Sequence, residues 1–176
     1  KQAGVDHFIA ISREIQGRIK KYYERDSVII YPPVNTERFK PTAGGAKGEY
    51  YLIVSRLIPY KRIDLAVQAM SRLGRRLLIV GEGRDRAALE AIAGPTIEFK
   101  GRLPDKETAE LMGHCRAFLF PGFEDFGITP VEAQAAGRPV IAFARGGALD
   151  TVVEGETGLF FHEASGDVLV ETVERF

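Results

Sequence analysis

Residues 50–83 read YYLIVSRLIPYKRIDLAVQAMSRLGRRLLIVGEG, and this stretch decides the fold. It contains two apolar runs without alternation, Tyr50–Val54 and Leu77–Val80, which is typical of strands buried on both faces. The segment between the runs has the spacing of one helix face, with apolar residues at Ile63, Ala66, Val67, Met70 and Leu73. The stretch therefore predicts a strand, a helix and a second strand parallel to the first.

The same alternation continues along the rest of the chain. Further apolar runs predict strands at Ile97–Lys100, Ala117–Phe120, Val140–Phe143 and Gly158–Phe161, and segments with helical spacing separate them. The order from Tyr50 onward is βαβαβαβαβαβα. It predicts an α/β fold with a doubly wound, Rossmann-like parallel sheet.

The first forty residues follow a different pattern. Predicted strands at His7–Ile11 and Val28–Tyr31 flank one amphipathic helix, and prolines frame an extended loop up to Pro41. We therefore divide the chain into an entry segment with an interdomain linker, residues 1–41, and a Rossmann-like domain, residues 42–176. The domain begins with a small, polar turn at residues 42–48. Both ends of the chain are interpreted as cut, so we expect a piece of a larger protein whose upstream half is missing.

Composition excludes several classes of protein. The 176 residues are 45% hydrophobic and 27% charged, which is ordinary for a folded globular domain. The formal net charge is zero, which argues against broad nucleic-acid binding. The single cysteine, Cys115, falls on an apolar helix face and is expected in the core. No apolar run approaches the ~18 residues of a membrane-spanning helix. The P-loop and nucleophile-elbow motifs are absent, and so is the D-x-D pair that would hold a metal-bound diphosphate.

Glycines and charged residues follow the predicted strands, at the sheet edge where open α/β proteins bind ligands. Gly81-Glu82-Gly83 is a weak dinucleotide fingerprint because Arg86 replaces its third glycine, yet bare backbone lets a ligand approach closely. Arg56 and Lys61 form a guanidinium and ammonium pair that suits a diphosphate. Lys61 lies at the start of a predicted helix, where a cation opposes the helix dipole unless an anion is bound. Solvated surface charge is the alternative for both side chains.

The segment from Glu124 to Glu132 is the most informative one. Thr129 fits an N-cap and Pro130 the first helical position, so Glu132 would close a capping box, which is a purely structural role. The N-terminus of this helix, which the chain approaches through Gly127, would also aim backbone N–H groups outward, as phosphate sites do. Glu124 lies in the loop before this helix, where it either contacts a substrate or is simply solvated.

Together these residues resemble the C-terminal, nucleotide-sugar-binding half of a GT-B fold retaining glycosyltransferase of the group 1, family 4 type. Residues 6–12 resemble the strand before the interdomain link, and residues 31–39 resemble the linker, with Pro-Pro-Val-Asn in place of Asn-Gly-Val-Asp. Glu124 to Glu132 matches the E-x7-E motif. Gly146-Gly147 through Gly158 matches the closing loops, although Asp150 stands where the family often has Glu.

The resemblance implies a role for each matched residue. Arg56 and Lys61 would neutralise the leaving diphosphate, Glu124 would contact the transferred sugar, and Glu132 would accept hydrogen bonds from the ribose. The remaining donor-binding residues that it implies are Ser55, Gly81, Gly83, Gly101, Arg102, Leu103, Phe126, Gly127, Ile128 and Thr129.

The resemblance also implies a reaction. A hexose, with GDP-mannose as the favoured donor, would be transferred with retention to an acceptor sugar or lipid-linked glycan held by the missing half. No metal or other cofactor is expected, and the isolated piece would be nearly inactive. The location would be cytoplasmic, and this is compatible with a peripheral position on the inner membrane surface. Two alternatives stay open: another GT-B enzyme, such as a sugar-nucleotide epimerase or a phosphorylase, and a nucleotide-binding module without catalysis.

Overall fold

Six parallel strands form the sheet that organises the chain, in the order β5-β4-β3-β6-β7-β8. The computed structural model describes residues 4–42 and 48–176. The strands are β1 Ile9–Ala10, β2 Val28–Ile29, β3 Tyr50–Val54, β4 Arg76–Val80, β5 Ile97–Gly101, β6 Ala117–Phe120, β7 Val140–Phe143 and β8 Gly158–Phe161. The helices are α1 Arg13–Tyr23, α2 Ile63–Leu73, α3 Arg86–Ala91, α4 Asp105–His114, α5 Ile128–Ala135, α6 Ala148–Thr151 and α7 Gly166–Arg175.

The predicted α/β order from Tyr50 onward is confirmed. Strand β4 begins one residue earlier than predicted, at Arg76, and β5 extends to Gly101. The central strands of the sheet alternate their side chains between two apolar layers, whereas the edge strand β5 has the polar Glu98 and Lys100 on one face. Leu52 and Leu78 belong to one layer, and Ile53 and Ile79 belong to the other. Burial on both faces is therefore the reason why these strands are continuous apolar runs.

The two N-terminal strands are shorter than predicted. β1 spans two residues instead of His7–Ile11, and β2 spans two instead of Val28–Tyr31. They pair only with each other among residues 4–42 and 48–176, as a parallel two-stranded sheet. Two strands joined by a single ladder of hydrogen bonds are only marginally stable in water, which explains why neither strand is longer.

Helix α1 and the linker connect this small sheet to the rest of the chain. Ser12 caps α1, because its Oγ accepts a hydrogen bond from the N–H of Ile15 at 3.1 Å. Arg13 forms an ion pair of 2.6 Å with Asp150, whose side chain is only 1% exposed. Phe39 of the linker is buried in the same apolar layer as Cys115, which lies in the core as predicted. The predicted turn at residues 42–48 lies mostly outside the described residues, and the division at residue 41 stays a prediction.

A matched pair of glycine substitutions tests the packing of the strand ends. A Cβ at Gly83 would overlap the backbone carbonyl of Leu57, whereas a Cβ at Gly17, exposed on α1, meets nothing within 4 Å. Gly83→Ala should therefore lower the free energy of unfolding by about 1–3 kcal/mol. Gly17→Ala should raise it by about 0.5–1 kcal/mol, because alanine is the better helix former. Urea denaturation measures both, and shifts of the same sign would contradict the packing described here.

Candidate functional site

The candidate site lies where the strand order reverses. Strands β3 and β6 are neighbours at the centre of the sheet, and the chain leaves them toward opposite edges. Open α/β sheets bind ligands in the crevice that such a reversal leaves at the carboxyl ends of the strands. Residues 55–61 follow β3 and residues 121–127 follow β6, so the two most heavily charged predicted loops meet there.

Two cavities occupy this crevice, and their linings meet at the start of α5. The first, of about 560 Å³, lies against Thr129, and the second, of about 630 Å³, lies against Ile128. Of the predicted site residues, Ser55, Arg56, Gly81, Arg102, Leu103, Thr129 and Glu132 line the first cavity. Glu124, Phe126, Gly127 and Ile128 line the second. The topology thus brings together residues that lie far apart in the sequence.

Three predicted residues line neither cavity. Lys61 does not line the second cavity itself, but it forms an ion pair with Glu124, which does. The carbonyl of Gly101 accepts a hydrogen bond of 2.8 Å from the N–H of Gly81. Gly83 lies directly against the backbone of Leu57, so packing between two loops already requires a glycine there. A donor-binding role for Gly83 and Gly101 stays a prediction.

The capping box predicted for α5 is wrong. The helix begins at Ile128, its N-cap is Gly127 with a φ of 79°, and no side chain caps it. The reason is tertiary: a Cβ at Gly127 would overlap the ring of Phe120, so the chain turns into the helix against that ring, two residues earlier than the local pattern suggests. The N–H groups of Ile128 and Thr129 therefore lie in the first turn, where no helical acceptor exists.

Glu132 loses its structural explanation with the capping box. Its side chain is half-buried at the wall of the first cavity, and its carboxylate accepts no hydrogen bond from the residues that the structure describes. Burial raises the pKa of Glu132 above its ordinary value, the nearby guanidinium of Arg38 lowers it, and Asp105 raises it again. A half-buried carboxylate without a partner, in a cleft, is a strong candidate for a ligand contact.

Lys61 and Glu124 are held together by the backbone of two loops. Their ion pair is largely enclosed, with side-chain exposures of 11% and 22%. A Cβ at Gly122 would come within 2.8 Å of the Cα of Lys61, so the loop after β6 runs directly against the lysine. The N–H of Gly147 donates a hydrogen bond of 2.9 Å to the carbonyl of Glu124. Lys61 was expected to oppose the dipole of α2, but its charge is compensated by this carboxylate.

Helix α1 fixes the residues on either side of Glu124. Arg18 forms an ion pair of 2.8 Å with Asp125, and its guanidinium carbon lies 5.6 Å from the ring centroid of Phe123. The ring of Tyr31 stacks on Phe126 with centroids 6.0 Å apart. The loop that carries Glu124 is thus held by the loops that follow β3 and β7 and by the N-terminal segment.

Sequence reasoning missed several residues of the first cavity. Arg38 and Asp105 face each other there in an ion pair of 2.6 Å, beside Phe39, Glu82 and Thr108. Residues 38 and 105 belong to distant segments, so no local pattern could pair them. Arg56, which was predicted, donates one long hydrogen bond of 3.4 Å to the Tyr60 hydroxyl. No carboxylate within residues 4–42 and 48–176 forms an ion pair with Arg56.

The described part of the chain offers neither a metal site nor a membrane-spanning helix. No group of three or more His, Cys, Asp or Glu side chains comes together there as ligands for a metal ion. Among the helices that the structure describes, none has the length and apolar character needed to cross a bilayer.

Comparison with known proteins identifies the family. Residues 34–176 match the family described as glycosyl transferases group 1. The chain belongs to the group 1 glycosyltransferases. This glycosyltransferase chain is 27% identical to an uncharacterized glycosyltransferase of Methanocaldococcus jannaschii, over 96% of this chain and 48% of that protein. It is 40% identical over 107 residues to the GDP-mannose-dependent alpha-mannosyltransferase of Mycobacterium tuberculosis, which is 60% of this chain and 28% of that protein.

Solved structures confirm the fold of the glycosyltransferase chain. Sucrose-phosphate synthase from Thermosynechococcus elongatus superposes with a TM-score of 0.86 at 26% identity, over 98% of this chain and 49% of that one. Anabaena HepE, solved in complex with UDP and glucose, superposes with a TM-score of 0.84 at 21% identity, over 97% and 53%. The predicted Rossmann-like, GT-B type fold is therefore confirmed. The chain spans about half the length of the curated relatives it matches, or less.

The raised pKa of Glu132 predicts a pH-dependent effect on stability. The folded state binds a proton at Glu132 more tightly than the unfolded state does, so stability is lost as the pH rises from the ordinary value of 4.5 through the raised pKa. Glu132→Gln should therefore increase the free energy of unfolding at pH 7 and leave it unchanged at pH 4. Urea denaturation at the two pH values measures the difference. A destabilised Glu132→Gln variant at pH 7 would contradict the environment described for this carboxylate.

Proposed function

We propose that the chain is the donor-binding part of a retaining hexosyltransferase that uses a nucleoside diphosphate sugar, with GDP-mannose as the donor. The observation that carries the proposal is the meeting of three features at the crevice between β3 and β6. These features are the cations Arg56 and Lys61, the uncapped start of α5, and the unpartnered carboxylate Glu132. Arg56 and Glu132 have no ionic partner among the described residues, Lys61 is held by Glu124, and each of the three features matches one part of a nucleotide sugar.

We propose that the diphosphate binds at the start of α5. The N–H groups of Ile128 and Thr129 have no helical acceptor, and the helix dipole favours an anion there. Arg56, on the loop after β3, supplies a second set of donors. When the sugar departs, negative charge grows on the phosphate oxygen, and fixed cations and N–H groups stabilise that charge more than they stabilise the ground state. This arrangement requires no metal ion, so we propose metal-independent transfer.

Lys61 and Glu124 are proposed to act at the junction of sugar and phosphate. In the present pair, the carboxylate holds the ammonium group in place. A bound donor would give Lys61 a phosphate oxygen as its partner, and Glu124 would then accept hydrogen bonds from the sugar hydroxyls. Enclosure of both side chains strengthens these interactions, since a water-poor site has a lower effective dielectric.

Glu132 is proposed to bind the ribose. Its carboxylate faces the first cavity, accepts no hydrogen bond from the described residues, and has two oxygens for two adjacent hydroxyls. A hydrogen bond to a charged group contributes about 1.5–3 kcal/mol. The base would then lie toward Arg102 and Leu103, which line the same cavity.

The names of the relatives support the donor and the acceptor class. The M. tuberculosis relative is called GDP-mannose-dependent. A Corynebacterium glutamicum relative, 35% identical over 133 residues, is a GDP-mannose-dependent mannosyltransferase named for a monoacylated phosphatidylinositol mannoside. We therefore propose a glycan or glycolipid acceptor, and a cytoplasmic enzyme that works at the inner membrane surface.

A further domain is proposed to hold the acceptor. The small sheet of β1 and β2 leaves apolar side chains exposed, with Ile9 at 61% and Val28 at 66%. This surface lies on the same segment that holds the Glu124 loop, so a domain packed on it would face the donor crevice. On its own, the chain should bind the donor and transfer little.

Two variants separate the diphosphate contact from the ribose contact in a calorimetric titration with GDP and with guanosine. Lys61→Ala should weaken the binding of GDP by about tenfold or more and leave the binding of guanosine unchanged, because the lysine is proposed to contact only phosphate. Glu132→Gln should weaken the binding of both ligands by about tenfold, because both carry the ribose. The control is Arg62→Ala, the adjacent cation, which is paired with Asp64 at 3.1 Å. If GDP fails to bind the parent chain at millimolar concentration, the donor site is refuted.

Transfer kinetics test the role of Lys61 in the enzyme that also carries the acceptor half. Lys61→Ala should lower kcat by about 100- to 1000-fold, which is typical for the loss of one preorganised donor to developing charge. The measurement is the transfer of labelled mannose from GDP-mannose to a mannoside acceptor, with Arg62→Ala as the matched control. An unchanged kcat would show that Lys61 does not contact the leaving group. The remaining interpretation of the chain would then be a nucleotide-binding module.

A further inference from the structure

A separate cavity of about 500 Å³ lies at the opposite edge of the sheet from the donor crevice. Its lining includes Arg116, Arg138 and Thr157, which precede β6, β7 and β8 respectively, and it also includes Gln134 and Phe176. The amino ends of three neighbouring strands therefore form its floor. None of these residues takes part in the donor site.

Arg138 is a buried cation without an ionic partner. Its residue is only 7% exposed, and its Nε is enclosed and has no hydrogen-bond acceptor among the described residues. The Nε of Arg116 is in the same state. No carboxylate of residues 4–42 or 48–176 lies within 4.0 Å of either guanidinium. The remaining residues, 1–3 and 43–47, include no Asp or Glu.

The neighbours of Arg138 do not balance its charge. Burial raises the pKa of Tyr50 to about 12 and that of Cys115 to about 12, so both stay neutral although the guanidinium lies near them. Glu156 also lines the cavity, but the residue is exposed and its carboxylate forms no ion pair with either arginine. The end of α5 supplies only the partial negative charge of a helix C-terminus, about half an elementary charge. The buried Nε–H groups of Arg116 and Arg138 therefore lack an acceptor among the described residues, and an anion in the cavity would supply one.

We propose that this cavity is a second ligand site, separate from the donor crevice, that binds a phosphate group through Arg116 and Arg138. Two guanidinium groups offer the planar, paired donors that match phosphate oxygens. The volume lies in the range of small-molecule sites, so a phosphorylated metabolite fits as well as free phosphate. The ring of Phe176, 5.8 Å from the guanidinium carbon of Arg116, gives the apolar wall for the carbon part of such a ligand.

Thermal unfolding with potassium phosphate, against potassium chloride at equal ionic strength, tests the site. Phosphate at about 100 times its dissociation constant should raise the melting temperature of the parent chain by about 5 to 10 °C. Arg116→Gln, at a half-buried side chain that tolerates replacement, should abolish the rise. Arg75→Gln, at an exposed arginine after α2, should retain it. A hexose phosphate in a parallel series distinguishes free phosphate from a phosphorylated metabolite by the larger shift.

Donor-site variants keep this test independent of the proposed function. Lys61→Ala should retain the phosphate response, because Lys61 lies at the other edge of the sheet. Arg138→Met should raise the melting temperature without phosphate, since it removes an uncompensated buried charge, and should abolish the response. Loss of the response in Lys61→Ala, or its retention in Arg116→Gln, would assign phosphate to the donor crevice and overturn the second site.

Discussion

The site depends on the direct contact of backbone with backbone between loops that leave neighbouring strands. Gly122 lies against the main chain of Lys61, and Gly83 lies against that of Leu57. Gly147 would likewise place a Cβ on the backbone of Phe126. At each point a side chain would push the loops apart, so glycine fixes how near the charged residues come to one another. The reversal of strand order between β3 and β6 provides the crevice, and these glycines make it narrow enough to hold an ion pair.

The distribution of charge separates residues that stabilise the fold from those that await a ligand. Arg13 with Asp150 and Lys61 with Glu124 are paired and partly or wholly enclosed. Glu132 and Arg138 are buried to different degrees and unpaired among the described residues, which destabilises the folded state. A chain keeps such groups at little benefit to its own stability. Glu132 lies in the middle of α5, and Arg138 follows the C-terminal end of that helix, whose partial negative charge favours a cation.

Sequence patterns predicted the sheet well because strands buried on both faces consist almost entirely of apolar residues. They also predicted which loops meet, since parallel strands bring all their carboxyl ends to one edge. The capping box failed because the local rule at Thr129 and Glu132 was overridden by the packing of Gly127 on Phe120. The pairing of Arg38 with Asp105 depends on contacts between distant segments, for which a single sequence has no periodic signal.

The N-terminal segment connects the donor crevice to the exposed face of the small sheet of β1 and β2. Its two strands share a ladder of two residue pairs, which is too short to be stable alone. Much of its order therefore comes from contacts that reach the Glu124 loop and α6, namely those of Arg13, Arg18 and Tyr31. These contacts are polar or aromatic and lie at the surface, so they hold the segment less firmly than an apolar core would. A domain seated on the exposed face of β1 and β2 would stabilise the segment, and through Arg18 it would also restrict the loop that carries Glu124. Acceptor binding and donor positioning would then both depend on helix α1.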